Sequence, residues 1–201
     1  STLYGMLPKI IRRFRDENTT VELSLHEMST MDQIRALKDG LIDVGFGRIR
    51  HEDAYIRRVV LREEKMIVAL PEGHPLSQPK PVLGLNDLVN ETLIIFPKMP
   101  RPSYADQVLS AFEDRGLKPR RIYEVRELQI ALGLVAAGEG ISIVPGSVHG
   151  LKRDDVSYKE LDDPTLVSPI IMSMRTLDES RDIQELLELI YRLYDEGQIS
   201  Y

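Results

Sequence analysis

Val21-Glu22-Leu23-Ser24-Leu25, then Thr30 to Gly40, then Ile42-Asp43-Val44-Gly45-Phe46-Gly47 form the stretch on which the fold turns. Val21 to Leu25 alternates apolar and polar residues, as a half-buried strand does. Thr30 stands where a helix N-cap belongs, with Gln33 three residues on in a capping-box pattern. That helix runs through Ile34 and Leu37 to a stop at Gly40. Ile42 to Gly47 then reads as a buried strand. Strand, helix and strand in so short a span predict a parallel sheet covered by helices.

The rhythm extends both ways. Upstream, Leu3, Leu7, Ile10, Ile11 and Phe14 recur at helical spacing, with Pro8 tolerable near a first turn. Downstream, Ile56 to Leu61 and Met66 to Leu70 read as strands. Pro71, Gly73, Pro75, Pro79 and Pro81 then break regular structure. The alternation resumes with a strand at Thr92 to Phe96, a helix at Tyr104 to Arg115 closed by Gly116, and a strand at Arg121 to Val125. A helix at Glu127 to Ala137 closed by Gly138 follows, then strands at Ile141 to Val144 and Pro169 to Met174. A last helix covers about Ser180 to Tyr194. The short proline-rich break reads as an excursion into a second lobe. The expected division is lobe I at 1–63 plus 170–201 and lobe II at 64–169, the second inserted into the first. Such a layout predicts a cleft at the lobe boundary, where helix N-termini point beyond strand ends.

Composition narrows the functions. The chain has 201 residues, 42% of them apolar and 29% charged, which suits an ordinary globular protein. A net charge of -6 argues against gripping nucleic acid directly. With no cysteine, disulfides and thiolate metal sites are excluded. No apolar run reaches the roughly 20 residues that span a bilayer, and no signal peptide is visible. A cytoplasmic protein without membrane contact is expected. The chain starts at Ser1 with an amphipathic pattern almost at once, so it reads as a fragment of something longer.

Catalytic constellations are thin. His26, His51, His74 and His149 form no metal spacing and read as solvated surface residues. No nucleophile elbow is present. Asp162-Asp163 precedes Pro164 and suits a turn better than acid–base work. Gly138-Glu139-Gly140 lacks the third glycine of a dinucleotide loop and reads as a helix stop and a tight entry into a strand. No catalytic residue, metal or cofactor is expected. Anion binding is the stronger signal, since hydroxyls and free backbone N–H groups at helix starts hold carboxylates. Ser29-Thr30, Pro102-Ser103-Tyr104 and Ser1-Thr2 offer this, the plain alternative being N-capping.

These residues resemble a known family. Leu7-Pro8 with Phe14, Glu27-Met28-Ser29-Thr30, Leu37 to Phe46, and Ala131 to Pro145 resemble the effector-binding domain of LysR-type transcription regulators. Phe96-Pro97 and Arg101-Pro102-Ser103-Tyr104 are similar to the subgroup controlling catechol and benzoate breakdown, the CatR, CatM and BenM type. The resemblance covers essentially the whole chain. It implies an α/β fold of two Rossmann-like lobes of periplasmic-binding-protein type, and an N-terminal winged helix-turn-helix that this chain lacks. It implies cis,cis-muconate or a similar small dicarboxylate as effector, held between the lobes. Carried over, Ser1, Thr2 and Thr30 match first-lobe pocket positions. Pro102, Ser103 and Tyr104 match a segment whose backbone amides meet the other carboxylate, and Leu128 matches an apolar wall.

A second, aromatic-acid site is suggested by Arg48, Arg62 and Tyr194, because an arginine beside an aromatic group can pair with a benzoate-like carboxylate. An internal ion pair of Arg48 or Arg62 with Glu64 is the alternative. Implied partners are the effector, further copies of the chain (a dimer, or a tetramer in the full-length regulator) and promoter DNA, contacted only through the missing domain. The rival readings are a solute-binding protein for a small organic anion and a small hydrolase or lyase.

Overall fold

The structure is a computed structural model that describes residues 6–78, 80–197 and 199. In chain order its principal elements are α1 (Met6–Glu17), α2 (Thr30–Lys38), β1 (Gly45–Gly47), β2 (Ile56–Pro71), β3 (Val82–Leu83), β4 (Thr92–Ile95) and α3 (Tyr104–Asp114). There follow β5 (Arg121–Glu124), α4 (Leu128–Ala136), β6 (Ser142–Pro145), β7 (Val156–Leu161), β8 (Val167–Arg175) and α5 (Arg181–Asp195). The chain divides into two compact units, Ser1–Glu63 with Pro169–Tyr201, and Glu64–Ser168. The second is inserted in sequence between the two segments of the first.

In the first unit, α1 and α5 bury one face each. Ile10 and Phe14 of α1 meet Leu189, Ile190 and Leu193 of α5, together with Met172 and Met174 of β8. Removing each such side chain from water stabilises by about 1.5–3 kcal/mol. Pro8 falls within the first turn of α1, where its missing N–H costs nothing. β8 pairs antiparallel with β1, from Gly45↔Ser173 to Gly47↔Ile171, and lies between β1 and β2.

In the second unit, the later half of β2 pairs antiparallel with β6 and with β7, and β3 runs parallel to β7. β4 and β5 are parallel, from Thr92↔Arg121 to Ile95↔Glu124. Backbone bonds from Ile141 N to Thr92 O at 2.9 Å and from Ile94 N to Ile141 O at 2.8 Å place the approach to β6 beside β4. Gly140 makes that approach possible, because a Cβ there would stand 2.5 Å from the Thr92 carbonyl oxygen. The Ser142 hydroxyl donates to Ile94 O at 2.8 Å.

Four sequence expectations are corrected. The sheets are mixed, not simply parallel. Val21 to Leu25 forms no strand. Val21 and Leu23 do pack on the first core, so the alternation is real, but among the described residues no neighbouring strand pairs with the segment. β1 covers only Gly45–Gly47; ahead of it the Ile42 carbonyl accepts from the side chain of Arg175, Nη1 at 2.7 Å, and not from a neighbouring strand. The two strands expected at 56–61 and 66–70 are one strand, since Arg62-Glu63-Glu64-Lys65 contains no turn-forming residue.

Candidate functional site

Of the residues singled out, Thr30 opens α2. Ser29 before it is the N-cap, its hydroxyl accepting from Asp32 N at 3.2 Å and donating to Asp32 Oδ2 at 2.9 Å. The Ser29 hydroxyl is thus committed to the helix, whereas Thr30 holds its own against β1. A Cβ on Gly47 would come 3.3 Å from Thr30 Oγ1, and one on Gly45 would come 2.5 Å from Gln33 Oε1. The two glycines let the helix start lie close on the strand. Gln33 fixes that approach by donating to Phe46 O at 2.9 Å and to Met28 O at 3.3 Å. Ser1 and Thr2 lie outside the described residues.

The second cluster stands at the carboxyl ends of β4 and β5. Lys98 N donates to Val125 O at 2.8 Å and Val125 N to Ile95 O at 2.9 Å, so the two strand exits are stitched together. Ser103 is the N-cap of α3. Its hydroxyl donates to Pro97 O at 2.8 Å and accepts from Ala105 N at 3.2 Å. Pro102 precedes it and Tyr104 is the first helical residue. The Tyr104 ring is buried against Phe96 at 5.4 Å between centroids, and its hydroxyl donates to Ile143 O at 3.2 Å. The Tyr104 phenol is thus taken up by Phe96 and Ile143. Leu128 opens α4 at the same edge, with its side chain 1% exposed within the core of this unit.

Sequence reasoning passed over Asp106, and used Arg101 only as part of the resemblance, with no role of its own. Asp106 closes a capping box, accepting from Ser103 N at 2.6 Å through the same Oδ2 that takes Arg101 Nε at 2.9 Å. Arg101 also gives Nη2 to Asp106 Oδ1 at 2.6 Å and Nη1 to Glu124 Oε1 at 3.1 Å. The Arg101 bonds hold the Asp106 carboxyl below its ordinary range, and the Ser103 N–H adds to this. The Ser103-x-x-Asp106 pattern was the available signal.

The residues of the second expected site fall in the first unit. Arg62 lies over the Tyr194 ring, its guanidinium carbon 4.4 Å from the centroid. The Tyr194 hydroxyl meets Met6 Sδ at 2.8 Å. Arg48 follows β1 and is buried. Three of the four histidines, and Asp163, have local roles. His26 meets Ser24, His74 Nδ1 accepts from Leu76 N, and His149 packs edge-on to Tyr158. Asp163 ties a turn through Thr165 and Arg115. Among the described residues there is no group of three or more potential metal ligands. No helix among them is long and apolar enough to cross a membrane.

The LysR substrate binding domain profile matches residues 1–194. The HTH-type transcriptional regulator BenM of Acinetobacter baylyi is 44% identical over 195 residues, which cover 96% of this chain and 64% of BenM. The HTH-type transcriptional regulator CatR of Pseudomonas putida is 45% identical over 190 residues, covering 94% of this chain and 65% of CatR. The chain thus spans just under two thirds of the length of these curated relatives. Among solved structures, the BenM effector binding domain with its effector benzoate matches with a TM-score of 0.93 and 43% identity. That match covers 99% of this chain and 90% of the other. Full-length BenM matches with a TM-score of 0.93 and 43% identity over 98% of this chain and 66% of its own.

Proposed function

The chain belongs to the LysR substrate binding domain family, and from that premise we propose that it is the effector-sensing part of a transcriptional regulator of aromatic-compound breakdown. The proposed effector is cis,cis-muconate or a similar small dicarboxylate. The observation that carries this is the pair of helix starts at Thr30 and at Ser103-Tyr104, each on a segment locked by its own hydrogen bonds. A helix start offers N–H donors and a favourable dipole to a carboxylate. The proposed contacts are Thr30, with Ser1 and Thr2, in one unit. In the other they are Pro102, Ser103 and Tyr104, with Leu128 as an apolar neighbour. Two carboxylates on a flat apolar middle suit such donors.

A second reading concerns a second ligand. Arg62 over Tyr194 supports a site for a benzoate-like acid involving Arg48, Arg62 and Tyr194, the guanidinium pairing with the carboxylate and the ring lying against the aromatic group. BenM's effector domain has been solved with benzoate.

In the whole regulator, a DNA-binding part outside this chain would contact the promoter, and copies would associate as dimers or tetramers in the cytoplasm. Effector binding would act by shifting populations, which for a change from 1:99 to 99:1 takes about 5.5 kcal/mol of differential affinity. The test is calorimetric titration with cis,cis-muconate, benzoate and succinate. Saturable muconate binding that weakens about tenfold in Thr30→Ala is expected. Muconate ultraviolet absorbance should stay constant, because its loss would signal an enzyme. A folded sample that binds no muconate removes this effector, and loss of benzoate binding in Arg62→Ala would support the second site.

A further inference from the structure

Arg101 is the cation at the start of α3, and two carboxylates already hold it. Asp106 takes Nε and Nη2 at 2.9 and 2.6 Å, and Glu124 takes Nη1 at 3.1 Å. One positive charge thus faces two negative ones. Asp106 Oδ2 accepts at the same time from Ser103 N. The carboxylate therefore lies where an incoming anion would reach both the arginine and the helix start. Charge-assisted forks of this kind are the strong class of hydrogen bond. A ligand carboxylate must displace one of them to use Arg101, or must bind without it, through backbone N–H donors.

From this geometry we infer that Asp106, supported by Glu124, is a resident anion that determines the specificity of the α3 segment. It keeps Arg101 neutralised, so an effector is selected by the fit of its hydrogen bonds and not by its charge. The inference rests on the reading that this segment faces the effector. Asp106 is thereby a specificity-determining residue, and Arg101 is a masked arginine, not a ligand-binding one.

The test is titration of wild type, Asp106→Asn, Arg101→Gln and the double variant with cis,cis-muconate, succinate and inorganic sulfate at two salt concentrations. Asparagine still offers an oxygen to Ser103 N, so the cap survives. Glu124→Gln, which leaves the cap untouched, serves as the second route should Asp106→Asn fold poorly. Asp106→Asn is expected to bind at least one of the three anions about tenfold tighter than wild type, with a steeper salt dependence. Glu124→Gln should gain less, and Arg101→Gln in the Asp106→Asn background should abolish the gain. If wild type binds muconate and neither charge-removing variant gains affinity for any anion, the inference is overturned and the proposed effector stands. If wild type binds none of the three while Asp106→Asn binds sulfate or succinate through Arg101, the resident-anion role stands and the effector reading falls. If no protein binds any anion, both fall.

Discussion

Gly133 and Gly140 belong to one helix–turn–strand segment and answer to different constraints. A Cβ on Gly133, inside α4, would meet nothing within 4 Å. Glycine there only costs helix stability, so Gly133→Ala should stabilise by about 0.8–1.0 kcal/mol. A Cβ on Gly140 would stand 2.5 Å from the Thr92 carbonyl oxygen, a backbone atom that the bond from Ile141 N holds in place. Gly140→Ala should therefore destabilise by about 1–3 kcal/mol. Urea unfolding of the two variants checks both signs. A loss for Gly133→Ala would mean that the helix face is covered by something outside this chain. At this scale the sequence separated the glycines only in part. Gly138 was legible as a helix stop and Gly140 as a tight entry into a strand, and the φ of 80° at Gly138 agrees, whereas the contact of Gly140 with the Thr92 carbonyl depends on which strand passes beside it.

Helix α3 shows what a single element carries. Its cap, Ser103, satisfies Ala105 N and also bonds Pro97 O, so one hydroxyl fixes both the helix start and the chain leading into it. Ser103→Ala should lower stability by about 1–2 kcal/mol. It should also weaken muconate binding. Thermal melts and titrations on the same samples separate the two effects. If Ser103→Ala costs stability and leaves muconate affinity intact, Ser103 is a structural cap only. The long amphipathic helices α1, α3 and α5 were legible because their apolar periodicity is local, as is the Gly116 stop of α3. β7 and β3 were not, since Val156-Ser157-Tyr158-Lys159-Glu160-Leu161 is a strand through its pairing with β2 and β3. Asp106 escaped notice for a related reason. The capping-box spacing was in the sequence, but Glu124 reaches Arg101, the partner of that carboxylate, only once β5 lies beside β4.

Over the whole molecule, local aspartate networks set the acid limit of stability. Asp53 is held below its ordinary value by Lys38, Asp87 by the Gly84 N–H, Asp106 by Arg101 and Asp155 by Arg153. Asp163 is lowered from 3.8 to about 2 by the Thr165 hydroxyl and N–H, then by Arg115. Each folded value lies below its unfolded one, so between the two the unfolded chain binds protons that the native chain does not. These groups contribute fully above the unfolded value, and the contribution is lost as pH falls through the folded one. They should leave Tm unchanged from pH 7 to about 5 and lower it steadily from about 4.5 to 2. Repulsion among the 26 lysines and arginines and the 4 histidines grows over the same range as the carboxylates neutralise. Asp163→Asn distinguishes the two causes. It should lower Tm at pH 7, where the native carboxylate is at full effect, and the two curves should converge towards pH 2, where native Asp163 is about half protonated and most of its contribution is gone. General repulsion acts on both proteins alike and does not produce convergence. Parallel curves from pH 7 to 2 would show that the Asp163 network carries none of the acid sensitivity.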